Sequence, residues 1–213
     1  MYKPAPQNRV TFSQFMEWNT DETWAEWVDG FIRQFPAFSS DDRLLSGFLA
    51  NLMQTSLESR DCAASVLPLF LMRCRPDGNA RLPDLLYVSP DRTLPSDAYF
   101  LDGPADLVIE IVSPESVRRD HVEKFAEYEA GGVGEYWIID PTTQTAEFYI
   151  RDAGAKHFRR APLEGLTEEN GGVYTCEMLG GLRIDVDWLW QRPLPSLLPI
   201  VTGWGLLTHG QFG

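Results

Sequence analysis

The chain has 213 residues, 44% hydrophobic and 23% charged, the make-up of an ordinary globular protein long enough to bury its own core. Its net charge of −13, from 31 acids against 18 bases, counts against a broadly basic nucleic-acid coat, though not against a local basic groove. Cys62, Cys74 and Cys176, an odd count without a C-x-x-C pair, argue against a disulfide framework or a zinc site and suit a reducing cytoplasm.

The polar, Pro-rich residues 1–9 are not followed by the apolar stretch of a secretory signal. The most apolar runs are 66–72, too short to cross a bilayer, and 197–207, short and broken by Pro199, Thr202 and Gly203. A cytoplasmic location with no membrane attachment is therefore expected.

In chain order, residues 11–19 predict a short helix with Phe12, Phe15 and Met16 on one side and Thr11 or Ser13 as cap. Residues 23–31 fit either a helix end or a strand entering a turn at Asp29-Gly30. Residues 40–57 predict a helix capped by Ser39 or Ser40. Asp41 and Asp42 suit its positive end, and Leu44, Leu45, Phe48, Leu49, Leu52 and Leu57 form its inward stripe.

The period then shortens. Residues 64–73 predict a strand, with Pro68 marking an edge or a bulge. Pro76-Asp77-Gly78-Asn79 is a turn, and residues 82–89 form the return strand of a hairpin. Residues 106–113 are an apolar run interrupted only by Glu110, the pattern of a strand buried on both faces. Residues 118–130 predict a helix capped by Ser116 and stopped by Gly131-Gly132, with Val122, Phe125, Ala126 and Ala130 inward. Tyr136-Trp137-Ile138-Ile139 is a strand closed by Asp140-Pro141, and residues 146–151 and 156–160 read as a further hairpin. From Gly180 onward, with Trp188, Trp190 and many prolines, the chain reads as an irregular wrap or a partner-facing arm. The order helix, strands, helix, strands predicts an α/β fold with a mixed sheet flanked by helices.

Three residues carry candidate chemistry. Asp84 follows Pro83 at a strand start, Glu110 stands alone in an apolar strand, and Lys124 lies on the next helix. A carboxylate inside an oily strand must be paired, hydrogen-bonded or bound to a cation, because burying it alone costs several kcal/mol. A salt bridge from Glu110 to Arg118, Arg119 or Lys124 would satisfy it structurally. Two carboxylates can instead hold Mg²⁺ or Mn²⁺ through oxygen, and a nearby lysine can orient a water or steady a phosphate. Lysine is scarce here, at Lys3, Lys124 and Lys156 only, so one at a motif position is less readily surface filler. The bases Arg73, Arg75, Arg81, Arg92, Arg118, Arg119 and Lys124 gather around these segments. His157 and His209 lack ligand-spaced partners and read as surface residues.

The segment Arg81-Leu82-Pro83-Asp84-Leu85-Leu86-Tyr87-Val88 resembles the R-x-P-D strand of the Uma-two family, a restriction-endonuclease-like group. Residues 104–116, with Asp106-Leu107-Val108-Ile109-Glu110, are similar to its glutamate strand. Asp120, Lys124, Tyr128 and Gly132-Val133-Gly134-Glu135-Tyr136-Trp137-Ile138-Ile139-Asp140-Pro141 resemble the run that follows. Glu26-Trp27-Val28-Asp29-Gly30 is similar to an early element, with Trp27 where an aliphatic residue is usual. The resemblance implies a PD-(D/E)XK nuclease-like domain over residues 10–190 of a single-domain chain, with a C-terminal extension at 191–213.

It also implies Asp84 and Glu110 as ligands of Mg²⁺ (or Mn²⁺), DNA as substrate and a homodimer, which the Trp- and Pro-rich tail favours as well. The usual lysine two residues after the glutamate is Val112 here, and Lys124 takes its place from the helix. Glu26, Asp120 and Tyr128 are candidate supports. The spacing of 121, 124 and 128 adds His121. Three functions follow: a Mg²⁺-dependent endodeoxyribonuclease with Asp84, Glu110 and Lys124 as catalytic residues, a catalytically silent binding or regulatory protein on the same fold, or a metal-dependent hydrolase acting on something other than nucleic acid. No G-x-S-x-G, P-loop or H-E-x-x-H supports a rival mechanism.

Overall fold

Helix α1 (Phe12–Trp18) begins with a capping box: Thr11 Oγ1 accepts from the Gln14 N–H at 3.2 Å, and Gln14 Oε1 accepts from the Thr11 N–H at 2.8 Å. The computed structural model describes residues 4–20, 23–35, 40–92, 94–167 and 169–205. Ser39 and His209 fall outside that set. The segment 23–31 resolves as a strand: β1 (Ala25–Val28) and β2 (Phe31–Gln34) pair across a turn in which Asp29 and Gly30 have φ of 52° and 82°. Helix α2 (Ser40–Glu58) buries Leu45, Phe48, Leu49, Leu52 and Leu57 as the stripe requires, while Leu44 stays exposed.

The single strand expected over 64–73 is two. Strand β3 (Ser65–Pro68) ends at Leu69, whose φ of 48° turns the chain away. Strand β4 (Met72–Arg73) then pairs with β6 (Leu101–Asp102) in a separate small sheet. Pro68 sits on an edge strand, where its missing N–H breaks no ladder.

The main sheet has six strands. Besides β3 it contains β5 (Leu85–Val88), β7 (Leu107–Ile111), β8 (Glu135–Asp140), β9 (Thr145–Ile150) and β10 (Arg159–Arg160), in the order β10-β9-β8-β7-β5-β3. Only β7 and β8 are parallel, so the sheet is mixed. A two-stranded hairpin of β11 (Val173–Cys176) and β12 (Leu182–Asp185) packs on one face together with α2. That face carries Leu85, Leu107, Ile109, Trp137 and Phe148, and the opposite face carries Leu86, Val108, Tyr136 and Ile138.

The helix expected over 118–130 departs from plan in two ways. Residues 117 and 118 start it as α-helix, it then widens into a π-helix, Arg119–Lys124, before continuing as α3 (Phe125–Gly131), and Gly132 (φ 94°) ends it. Ser116 does not cap it, since its hydroxyl is bonded back to Ser113. The inward face is also not the apolar one: Val122, Ala126 and Ala130 are exposed, while Asp120, Lys124 and Tyr128 are buried. In an α-helix a step of four overshoots one turn by about 40°. The wider π turn undershoots it, so Asp120, Lys124 and Tyr128 come into line.

The tail is neither irregular nor an arm over its described length. Strand β12, a 3₁₀ turn (Val186–Trp190) and helix α4 (Leu197–Gly203) place Leu182, Ile184, Val186, Leu189 and Val201 in the main core. Much of the apolar surface that favoured a partner is thus used within the chain. Among the described residues no helix is long and apolar enough to cross a membrane.

Candidate active site

The register of the sheet builds the site. Leu85 pairs with Ile109, and the same antiparallel alignment carried one residue further sets Asp84 across from Glu110. Asp84 Oδ2 accepts from the Ile111 N–H at 2.6 Å. On the partner strand, Glu110 Oε1 accepts from Lys124 Nζ and from the Tyr128 hydroxyl, both at 2.8 Å. Oε2 of Glu110 accepts no hydrogen bond among the described residues. Lys124 Nζ lies 3.2 Å from Glu26 Oε1 and 3.5 Å from Asp120 Oδ1. The structure therefore brings Asp84, Glu110, Lys124, Glu26, Asp120 and Tyr128 together from four separate segments.

It does not bring in His121. Its Nδ1 lies against the Val117 carbonyl and its Nε2 3.4 Å from Glu147. The π turn is the reason, since it rotates position 121 off the line of 120, 124 and 128. Val112, where the usual lysine would stand, is buried among Val108, Tyr128 and Ile138. Sequence inspection passed over Glu127 and Asn79 and took Arg81 only as a motif base. Arg81 bonds Glu26 Oε2 at 2.8 Å and grips Glu127 bidentately at 2.8 and 2.6 Å, and Asn79 donates to Glu127 at 2.9 Å. The one signal for Glu127 is its spacing of three from Lys124 on the same helix.

The cluster is short of positive charge. With every carboxyl ionised, five carboxylates (Glu26, Asp84, Glu110, Asp120 and Glu127) face three cations (Arg81, Lys124 and Arg119), an excess of two negative charges. Burial is the main reason the Glu110 carboxyl is pushed up to about 8, with Asp120 and Asp84 adding repulsion that Lys124 only partly offsets. Burial likewise lifts Asp84 to about 6 against the Ile111 hydrogen bond. Glu26 behaves oppositely: burial raises it, but Lys124 and Arg81 together hold it below its usual value. Burial depresses Lys124, yet Glu110, Glu26 and Asp120 outweigh it and keep the amine cationic. Asp120 Oδ1 is buried and accepts no hydrogen bond among the described residues.

Such a donor set fits a hard divalent ion. The ion would match the excess charge and displace the protons that burial favours on Asp84 and Glu110. Among the described residues no three His, Cys, Asp or Glu side chains are arranged to hold a metal. A cation here would take one or two carboxylates and fill its shell with water and main-chain oxygen, which is the habit of Mg²⁺. The site opens on a cleft of about 1140 Å³ whose walls include Arg33, Arg119 and Arg192 as well as Phe35 and Trp190.

Residues 12–187 match the family model Uma2, described as "Putative restriction endonuclease". A solved structure from Anabaena variabilis, described as a putative nuclease belonging to DUF820, matches with a TM-score of 0.66 at 16% identity. The match covers 85% of this chain and 97% of that one. At that identity the likeness is one of fold. No curated protein matches the chain.

Proposed function

Because the chain belongs to the Uma2 family, we propose that it is a divalent-metal-dependent endodeoxyribonuclease of the PD-(D/E)XK type, with Asp84, Glu110 and Lys124 as its catalytic set. One observation carries this: two carboxylates on neighbouring strands and a buried amine meet at a cleft, in a cluster two positive charges short. Mg²⁺ or Mn²⁺ held by Asp84 and Glu110 would supply Lewis acidity at a phosphate oxygen and a more acidic water.

The chain's own residues do the rest. Lys124, kept charged by its three acids, donates hydrogen bonds to the attacking water or to the phosphate as charge builds there. Tyr128 and Lys124 both bond Oε1 of Glu110, which fixes the rotation of that carboxylate. Arg33, Arg119 and Arg192 are the cleft bases available to the DNA backbone.

The cleft is lined by more acids than bases, Asp41, Asp42, Glu115 and Glu123 among them, and this favours one rival: a silent binding or regulatory protein on the same fold. Incubating the protein with plasmid DNA and Mn²⁺ separates the two. Nicking that disappears in both Asp84→Asn and Glu110→Gln supports the nuclease, and nicking that survives both belongs elsewhere. A homodimer is part of the proposal and now rests on the family resemblance, because the tail is folded into the core. A sedimentation mass near 24.1 kDa at micromolar concentration would remove it.

A further inference from the structure

Both oxygens of Glu26 are engaged by protein groups. Oε1 takes Lys124 Nζ and the Leu82 N–H, both at 3.2 Å, and Oε2 takes Arg81 Nη1 at 2.8 Å. The sheet explains the pairing. Trp27 and Ala80 exchange both backbone hydrogen bonds, so the same antiparallel alignment sets Glu26 across from Arg81. Arg81 is in turn fixed by its own backbone pair with Met72. Its guanidinium, 3% exposed, separates the main cleft from a second hollow of about 360 Å³ lined by Cys74, Asn79, Glu127 and Tyr128. On that side Glu127, one turn beyond Lys124, closes a two-bond fork on it. Asn79 braces Glu127 and is tied to the β1–β2 turn through the Asp29 N–H at 2.9 Å.

Resting on the nuclease reading, we propose that the Arg81–Glu127 pair is a clamp. It holds Glu26 against Lys124 and the helix against the sheet, and so sets the position of the Lys124 amine at Glu110. Arg81 and Glu127 are positioning residues: neither touches substrate, and both act through Lys124. Lysine is no substitute at 81, because a point charge cannot fork Glu127 and reach Glu26 at once. Glutamine at 127 keeps an acceptor for one arm of the fork and is the milder lesion.

The test uses Arg81→Met, Arg81→Lys and Glu127→Gln in the full chain, with two readouts. The first is Mn²⁺-dependent plasmid cleavage per folded molecule. Displacing a catalytic group by about 1 Å can cost on the order of a hundredfold. Arg81→Met is accordingly expected to lower kcat by about that factor, Arg81→Lys by about tenfold and Glu127→Gln by about threefold, with KM unchanged within about twofold because Arg81 is buried. The second readout is independent of activity. Acylation of the three lysines by an amine reagent at fixed pH is mapped by mass spectrometry, with exposed Lys156 as internal standard. Lys124 is expected to be protected in the wild type and labelled about tenfold faster in Arg81→Met and measurably faster in the better-folding Glu127→Gln.

Equal Lys124 labelling in wild type, Arg81→Met and Glu127→Gln overturns the clamp. So does a kcat per folded molecule that stays within twofold in all three variants while melting temperature falls. A wild type that cleaves nothing removes the nuclease reading alone, and the labelling then decides the clamp by itself.

Discussion

Two buried glutamates on neighbouring parallel strands have opposite surroundings. Glu110 lies near the C-terminal end of β7 on the face covered by α3, among Lys124, Asp84, Asp120 and Glu26, beside an open cleft. Glu135 starts β8 at the other end and faces the main core. It accepts from Trp137 Nε1 at 2.6 Å, from the Tyr174 hydroxyl and from Cys176 Sγ at 3.5 Å, with no cation in ion-pair range among the described residues. Burial raises both, yet only Glu110 shares its space with other carboxylates and an amine. A sunken carboxylate therefore does not by itself mark a reactive site. Excess charge next to a cleft is what supports the proposal at Glu110, whereas neutral donors in a closed core make a structural knot of Glu135.

The sharpest break of this comparison is the matched pair Glu110→Gln and Glu135→Gln. Several kcal/mol of metal-borne stabilisation correspond to about a thousandfold in rate, so Glu110→Gln is expected to lower plasmid cleavage by about that factor. Glu135→Gln should leave cleavage within about twofold while lowering the melting temperature. Equal losses in the two variants would erase the distinction.

Next comes Lys124→Met, expected to cost about a hundredfold in kcat as one lost transition-state donor. It also leaves Glu110 and Glu26 without their shared cation, a folding penalty of about 3–5 kcal/mol. Denaturant melts with and without saturating Mg²⁺ would read it, and added Mg²⁺ should recover part of the loss.

Smaller, and confined to the other glutamate, is Tyr174→Phe. Removing one of three donors is expected to cost about 1–2 kcal/mol in urea unfolding, with cleavage unchanged.

The subtlest effect is on pH. Glu110 is raised in the folded protein from 4.5 to about 8, so its contribution to metal-free stability is fully present below about 4.5 and lost as pH rises through about 8. Asp84 acts in the same direction, lost through about 6. In EDTA the melting temperature should thus fall between about pH 4.5 and 8, and Glu110→Gln should flatten that slope. Saturating Mg²⁺ should oppose it, because the ion binds the deprotonated carboxylates. An EDTA slope identical in wild type and Glu110→Gln would deny Glu110 its raised value.

The mixed α/β architecture, the central strand around Glu110 and helix α2 were all legible in the sequence, because each follows from local periodicity. So was Glu110 as a carboxylate in need of a partner, since it stands inside an apolar run, while Asp84 was joined to it by the family resemblance. Glu135 follows the same local rule, in the run Val133-Gly134-Glu135-Tyr136-Trp137, and nothing in its neighbours along the chain separates it from Glu110. Its donors Tyr174 and Cys176 come from about forty residues away. Val122 and the tail were misjudged for a related reason. An apolar residue on a helix is not bound to face inward when a buried charge cluster lies beneath, and a proline-rich segment still packs when it meets an uncovered sheet face.

What the sequence determined alone was the mixed α/β class, the strongly periodic elements such as α2 and the strand around Glu110, the family and the residue types available for chemistry, since propensity, period and turn residues act over a few positions. Which side of each element met which other was decided by tertiary structure. Register put Asp84 opposite Glu110 and Glu26 opposite Arg81, the π turn aligned Asp120, Lys124 and Tyr128, and the fold split two similar glutamates between a cleft and a core. Electrostatic energy depends on distance through space and on access of water, and neither is a property of separation along the chain.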